Sequence, residues 1–142
     1  MSLKFTIPEL QAYLAQVFPQ VKDDFVIETL NDDETIVRMK IGEAHLRPGG
    51  TVSGPSMFAL ADCAMYMAVL AQLGPKALAV TTNCSIDFMR KPQAGTDIIA
   101  HCRILKLGRA LVVGDALIYS DGQTKPVARA SLTYSIPPKD DL

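Results

Sequence analysis

Apolar residues fill almost every position of residues 57–73, the mark of a helix buried on nearly all sides rather than one lying on a surface. Before it, residues 7–18 carry Pro8 early and apolar side chains at Leu10, Tyr13, Leu14, Val17 and Phe18. That spacing predicts an amphipathic helix stopped at Pro19. Residues 25–30 and 35–41 flank Asn31-Asp32-Asp33, a strand–turn–strand pattern. A Gly/Pro loop over residues 45–53 leads into the long helix, whose first turn accommodates Pro55, and Gly74-Pro75 ends it. After that come only strands. Residues 77–89 alternate, with Val80, Cys84, Ile86 and Phe88 apolar and Thr81, Asn83, Ser85 and Asp87 polar. Residues 97–107 and 109–119 turn at Gly108, and Asp121-Gly122 leads into residues 126–136; the tail PPKDDL (137–142) is expected to fray. One long apolar helix followed by antiparallel strands predicts an α+β domain with the sheet wrapped around that helix and a short N-terminal helix outside it. Both flanks of such a sheet are open, which predicts edge pairing into a homodimer or a dimer of dimers.

Charge changes this picture at one position. Between Arg47 and Lys76 the single charged side chain is Asp62, in the run PGGTVSGPSMFALADCAMYMAVLAQLGP. A carboxylate in such surroundings must be paired, hydrogen-bonded or shifted in pKa, because burying it unsatisfied costs several kcal/mol. Asp is also a poor residue inside a helix. Propensity and burial both oppose it, and such conflicts collect at functional sites. The competing reading is an Asp that caps or anchors a neighbouring loop.

Composition narrows the class. The 142 residues carry 14 basic and 15 acidic side chains, a net charge of −1, so nothing favours nucleic acid or a membrane surface as partner. The length fits one domain over residues 1–142. Cys63, Cys84 and Cys102 are odd in number and lack C-x-x-C spacing, which reads as small buried hydrophobes in a reducing compartment. MSLKFTIPEL has no signal-peptide pattern. Asp62, Gln72 and Ser56 interrupt the central apolar run and no basic flank anchors it, so a core helix is expected rather than a membrane span. A cytoplasmic protein without metal or cofactor is the expectation. His45 and His101 have neither a nucleophile elbow nor a second ligand beside them and read as structural, and neither G-x-G-x-x-G nor a P-loop occurs.

Three stretches carry a family resemblance: GTVSGPSMFALADCAMYMA, VTTNCSIDFMRKPQAGTDIIAHCRILKLGRALVVGDALIYSDG and VARASLTYSIP. In order and content they resemble the hotdog-fold acyl-CoA thioesterases of the phenylacetate-degradation type, over residues 36–136. The resemblance implies a hotdog fold, an acyl-CoA substrate whose coenzyme A arrives as part of it, and a site at a dimer interface. It also implies that the Gly54 N–H polarises the thioester carbonyl, and that Asp62 is the nucleophile or general base. A helix N-terminus suits the first role, since its N–H groups are free and its dipole favours negative charge. Eight helical residues place Gly54 and Asp62 about 12 Å apart, too far to act on one carbonyl carbon. The two must then come from different subunits. Tyr66, one turn beyond Asp62, either orients the acid, lines the acyl pocket or simply packs.

Two positions depart from the family. Ser53-Gly54-Pro55 stands where His-Gly-Gly is usual, and Arg47 stands where an Asn or Gln is common fifteen residues before the acid. Arg47 either binds a substrate carboxylate or phosphate, pairs with Asp62 across the interface, or points to solvent. Thr81 and Asn83 are expected on one polar strand face, near where related enzymes offer a hydroxyl to the attacking water, or else on a plain outer face. Arg90, Lys91 and Arg109 lie at loops where the phosphates of coenzyme A can be received, or are simply solvated. Phe58, Met65, Tyr66 and Val69 fit a fatty or aromatic acyl group. The leading reading is a homo-oligomeric acyl-CoA thioesterase. The second is an acyl-CoA or acyl-carrier binding module without turnover, with Arg47 and Ser53 as marks of lost catalysis. A hotdog hydratase fits least, since its Asp/His pair is absent.

Overall fold

The structure, a computed structural model, describes residues 3–138; the end of the predicted tail, residues 139–142, lies outside the described residues. Helix α1 (Ile7–Val17) opens with a reciprocal cap. The Thr6 hydroxyl accepts from the Glu9 N–H, and the Glu9 carboxylate accepts from the Thr6 N–H. A short 3₁₀ turn (Pro19–Val21) leads to β1 (Phe25–Leu30) and β2 (Thr35–Met39), joined by a turn in which Asn31 Oδ1 accepts from the N–H groups of Asp33 and Glu34. After a second 3₁₀ turn (Glu43–His45) comes α2 (Gly54–Leu73), then β3 (Val80–Phe88), β4 (Ile98–Leu107), β5 (Leu111–Ser120) and β6 (Ala128–Ser135).

All six strands form one antiparallel sheet in the order β1-β2-β4-β5-β6-β3. The chain leaves β2, crosses the sheet as α2, and lands on the far edge as β3. Strands β4, β5 and β6 then fill the space between. This is the hotdog arrangement, and the α+β reading of the sequence holds. Helix α2 is long and apolar enough to cross a membrane by length and composition, but the sheet encloses most of it. Leu60, Ala61, Ala64, Met65, Val69 and Leu70 are at most 1% exposed, against Val37, Ile98, Ala100, Val112, Ala116, Ile118 and Leu132 of the sheet.

Burial is nevertheless one-sided in the first half of α2. Pro55, Phe58, Ala59, Asp62 and Cys63 follow one another at three- and four-residue steps and form a stripe that the sheet does not cover. The two sheet edges also differ. At the β1 edge α1 packs against the strand, and Gln11 Oε1 accepts the Ile27 N–H at 3.1 Å. Among the described residues the β3 edge has no such cover and carries exposed Val80, Phe88 and, just after it, Met89. The expectation of two open flanks therefore holds for one.

At Gly114 a Cβ would lie 2.6 Å from the Arg103 carbonyl oxygen and 2.5 Å from Met65 Cε. The carbonyl belongs to the β4 ladder and cannot retreat, so Gly114→Ala is expected to cost about 1–3 kcal/mol, read as a lower urea midpoint.

The thiols set a second expectation. Burial, reinforced by the charges of Asp62 and Asp24, pushes Cys63 from 9.0 up to about 12, and burial raises Cys102 as well. A thiol raised in this way contributes fully below the unfolded value. As pH climbs past 9.0 the unfolded thiol ionises while the folded one does not, so stability drains away up to about 12. The urea midpoint should fall between about pH 7 and about pH 10.5, and fall less in Cys63→Ala.

Candidate active site

Asp62 lies on the uncovered stripe in the third turn of α2, half-buried, where the helix lies against β3 and β6. Its charge is met by two hydroxyls. Thr81 Oγ1 donates to Asp62 Oδ1 at 2.6 Å, and Tyr134 Oη donates to the same oxygen at 2.7 Å. Tyr134 Oη also lies 2.9 Å from the main-chain oxygen of Asp62. No cation pairs with the carboxylate among the described residues, and Oδ2 receives no hydrogen bond from any of them. The charge is felt nearby: after burial, it is what raises the thiols of Cys63 and Cys84. Burial first, then the Asp62 charge, keeps the Tyr134 phenol far above its ordinary value of 10.0, so it remains a donor at any working pH.

A bulge brings Thr81 to this place. In the β3–β6 pairing Thr81 faces Tyr134 and Asn83 faces Thr133, so Thr82 is an extra residue on β3. The insertion swaps the faces on either side of it. Thr81 joins Cys84 and Ile86 on the side toward α2, while Val80, opposite Ser135, turns to the outer side. Asn83 also stands on the outer face. The expectation that Thr81 and Asn83 share a face is thus corrected: unbroken alternation was assumed, and one bulge reverses it.

Tyr66 directs its hydroxyl to the main chain ahead of β3. It is buried, its hydroxyl donates to the Ala77 carbonyl at 2.7 Å, and its ring stacks on Tyr134 (centroids 6.1 Å apart, planes at 22°). Phe18 also meets Tyr66 edge-on, with centroids 6.1 Å apart. Tyr134 itself escaped the sequence reading. In VARASLTYSIP it looks like any inward aromatic of an alternating strand, and its role appears only once β6 is set beside β3.

Gly54 begins α2, one residue after Ser53. Ser53 is the N-cap: its hydroxyl accepts from the Ser56 N–H at 3.2 Å and donates to the Ser56 hydroxyl at 2.9 Å. The Gly54 N–H is bonded to none of the described residues. It borders a cleft of about 400 Å³ lined by Arg47, Met57, Phe88, Met89, Arg90 and Lys91 among others. A Cβ on Gly54 would sit 3.5 Å from the Phe88 ring, so the aromatic closes directly over this residue. Arg47 is exposed, with Nη1 at 3.3 Å from the Pro48 carbonyl, and Arg90 donates to the Pro126 carbonyl at 2.8 Å. Arg109 is not with them. It lies near the other end of α2, beside Leu73, Lys76, Leu107 and Ile136, around a separate hollow of about 770 Å³. Phe58 lies on the uncovered stripe, 39% exposed, whereas Met65 and Val69 are enclosed.

Both histidines have local partners. His45 Nδ1 accepts from the Gly42 N–H, and His101 packs edge-on against Tyr119 near Glu34. Among the described residues no three His, Cys, Asp or Glu side chains gather as a metal set.

Residues 49–127 match the family model of the thioesterase superfamily. A candidate thioesterase from Silicibacter sp. TM1040 is 58% identical, with 97% of this chain and 96% of that one aligned at a TM-score of 0.91. A variant of phenylacetic acid degradation protein PaaI from Thermus thermophilus is 28% identical over 82% of this chain and 97% of its own, at a TM-score of 0.70. A hypothetical thioesterase protein from Streptococcus pneumoniae TIGR4, crystallised with coenzyme A, shares the fold at 22% identity (84% and 93% covered, TM-score 0.72). An apolar helix held in a curled antiparallel sheet, a lone carboxylate on its open stripe and the match over residues 49–127 together make this chain a member of the thioesterase superfamily.

Proposed function

We propose that the protein is an acyl-CoA thioesterase whose sites are shared between two subunits, converting R–CO–S–CoA and water to R–COOH and HS–CoA. The observation that carries this is a separation. A carboxylate oxygen and a helix-start N–H, both without a hydrogen-bond partner among the described residues, lie on one rigid helix about 12 Å apart, with a cation-lined cleft at the N–H. Neither half is sufficient, and a second copy supplies what each lacks. The open β3 edge, with Val80, Phe88, Met89 and the Phe58 stripe beside it, is the surface for that copy.

In this reading the thioester carbonyl oxygen takes the Gly54 N–H of one subunit, which stabilises negative charge as the tetrahedral centre forms. Asp62 of the facing subunit either attacks the carbonyl carbon or removes a proton from water that does so. If water attacks, the proton taken by Asp62 passes to the CoA sulfur as the C–S bond breaks. If the carboxylate attacks, CoA leaves as the thiolate and is protonated from solvent, and water then hydrolyses the mixed anhydride to release R–COOH and restore Asp62. Arg47, Arg90 and Lys91 offer positive charge at the mouth of the same cleft, which fits the phosphates of coenzyme A. The coenzyme A held by the Streptococcus pneumoniae protein of the same fold is consistent with that carrier. The apolar stripe around Phe58 favours a fatty or aromatic acyl group.

Thiol release from short, long and aromatic acyl-CoAs, wild type beside Asp62→Asn, is the first test. Asp62→Asn should lose about 10²-fold or more in kcat while folding normally. No release from any member, with acyl-CoA still bound tightly, would replace the enzyme by a binding module.

Sharing between subunits has its own test. Gly54→Pro removes the N–H at a position where proline suits a helix, and the extended Ser53 (φ −75°, ψ 155°) accepts a following proline. Gly54→Pro and Asp62→Asn should each be inactive, while co-expressed chains recover activity in mixed dimers carrying one intact site. No recovery in verified mixed dimers would rule out the shared site.

The carrier is tested by charge. Arg47→Ala with Lys91→Ala should raise KM for an acyl-CoA by about 3- to 10-fold and leave KM for the matching acyl-N-acetylcysteamine, which lacks phosphates, unchanged.

A further inference from the structure

A carboxylate offers about four acceptor sites, two on each oxygen, so two hydroxyl donors can share one oxygen or divide between both. Here both go to one. Thr81 and Tyr134 are direct partners across the β3–β6 ladder, their side chains rise on the same face, and both reach Oδ1 of Asp62. Oδ2 is left without a donor among the described residues, on the stripe that the sheet leaves uncovered. The two oxygens of this acid are therefore not equivalent.

We propose that Tyr134 is a positioning residue that, with Thr81, locks Oδ1 of Asp62 so that Oδ2 is the oxygen that reacts. The inference rests on the catalytic reading of Asp62 given above. Tyr134 is well placed to hold a fixed position. It is 3% exposed, its ring is stacked on Tyr66, and Tyr66 is pinned by Phe18 and by its bond to the Ala77 carbonyl. The chain of contact runs from the end of α1 through α2 and β6 to the carboxylate. Tyr134 has one proton and two acceptors in reach, Oδ1 at 2.7 Å and the Asp62 main-chain oxygen at 2.9 Å. While the acid is ionised, Oδ1 is the stronger acceptor. When Oδ2 has taken a proton from water, or has formed a bond to the acyl carbon, the carbonyl offers the phenol a second partner. The hydroxyl is satisfied in both states without moving its ring.

The experiment is steady-state kinetics of Tyr134→Phe, which keeps the ring and its stacking and removes only the hydroxyl. The result expected is a 10- to 100-fold fall in kcat with KM within about two-fold, at a thermal midpoint close to wild type. Thr81→Val, which removes the other donor from the same oxygen, should show the same split, and Thr81→Ser should restore kcat. If Tyr134→Phe folds poorly, the Thr81 pair carries the test. Wild-type kcat in either donor-less variant, in an enzyme that Asp62→Asn inactivates, would overturn the proposal and leave the catalytic reading standing. Activity surviving in Asp62→Asn would remove the catalytic reading itself. A fall in kcat that tracks a lowered thermal midpoint, unrestored by Thr81→Ser, would reduce both residues to structural supports.

Discussion

A carboxylate on an otherwise apolar helix must be given hydrogen-bond donors or a counter-charge, and among the described residues only donors are given. Much of the local architecture follows from that need. Strand β3 has to present a hydroxyl at Thr81, which requires the bulge at Thr82 to turn that residue toward the helix. Strand β6 has to present a second hydroxyl at Tyr134, which requires a ring long enough to cross from the sheet to Asp62. Tyr66, one turn along α2, backs that ring and ties down the connection before β3 at Ala77. Both donors meet one oxygen of the acid, and the other is left without a donor among the described residues.

The second constraint is rigidity. A helix enclosed by a sheet cannot bend to bring its own first residue near its third turn, and about 12 Å between Gly54 and Asp62 is a property of α-helical rise. In the proposed dimer the N–H and the carboxylate oxygen serve as two half-sites on one element. The uncovered stripe between them and the unprotected β3 edge lie on the same side of the molecule, while α1 and Gln11 close off the β1 edge. In the proposed dimer, the surface that needs a partner for burial and the groups that need a partner for chemistry coincide. This also explains why an apolar helix carries Phe58 at 39% exposure in a single chain.

What was legible along the chain depended on whether local rules decide it. The helices, the turn at Asn31 and the strand positions could be read from periodicity and punctuation, because hydrophobic pattern and Gly/Pro chemistry act within a few residues. The face assignment of β3 failed at Thr81 and Asn83. A single inserted residue inverts a period-two pattern, and the sequence TTN carries no mark of it. Tyr66 was placed beside Asp62 by helical spacing, yet its hydroxyl turns to Ala77, a choice made by packing against Phe18 and Tyr134. Arg109 was grouped with Arg90 and Lys91 because all three sit in loops. Within one chain the strand order carries it to the other end of α2.

By itself the sequence determined that one long apolar helix would be wrapped by antiparallel strands, that Asp62 was its single unexplained charge, and that Gly54 opened the helix too far away to meet it. These are consequences of periodicity, propensity and a fixed rise per residue, all of which act along the chain. Only the tertiary structure decided which hydroxyls meet the acid, on which of its oxygens, and which sheet edge is left open. Those depend on register between β3 and β6, strands 40 and more residues apart in sequence, and on the crossing of α2 that sends β3 to the far edge. Register is set by the packing of whole faces against one another, and no short window of residues contains it.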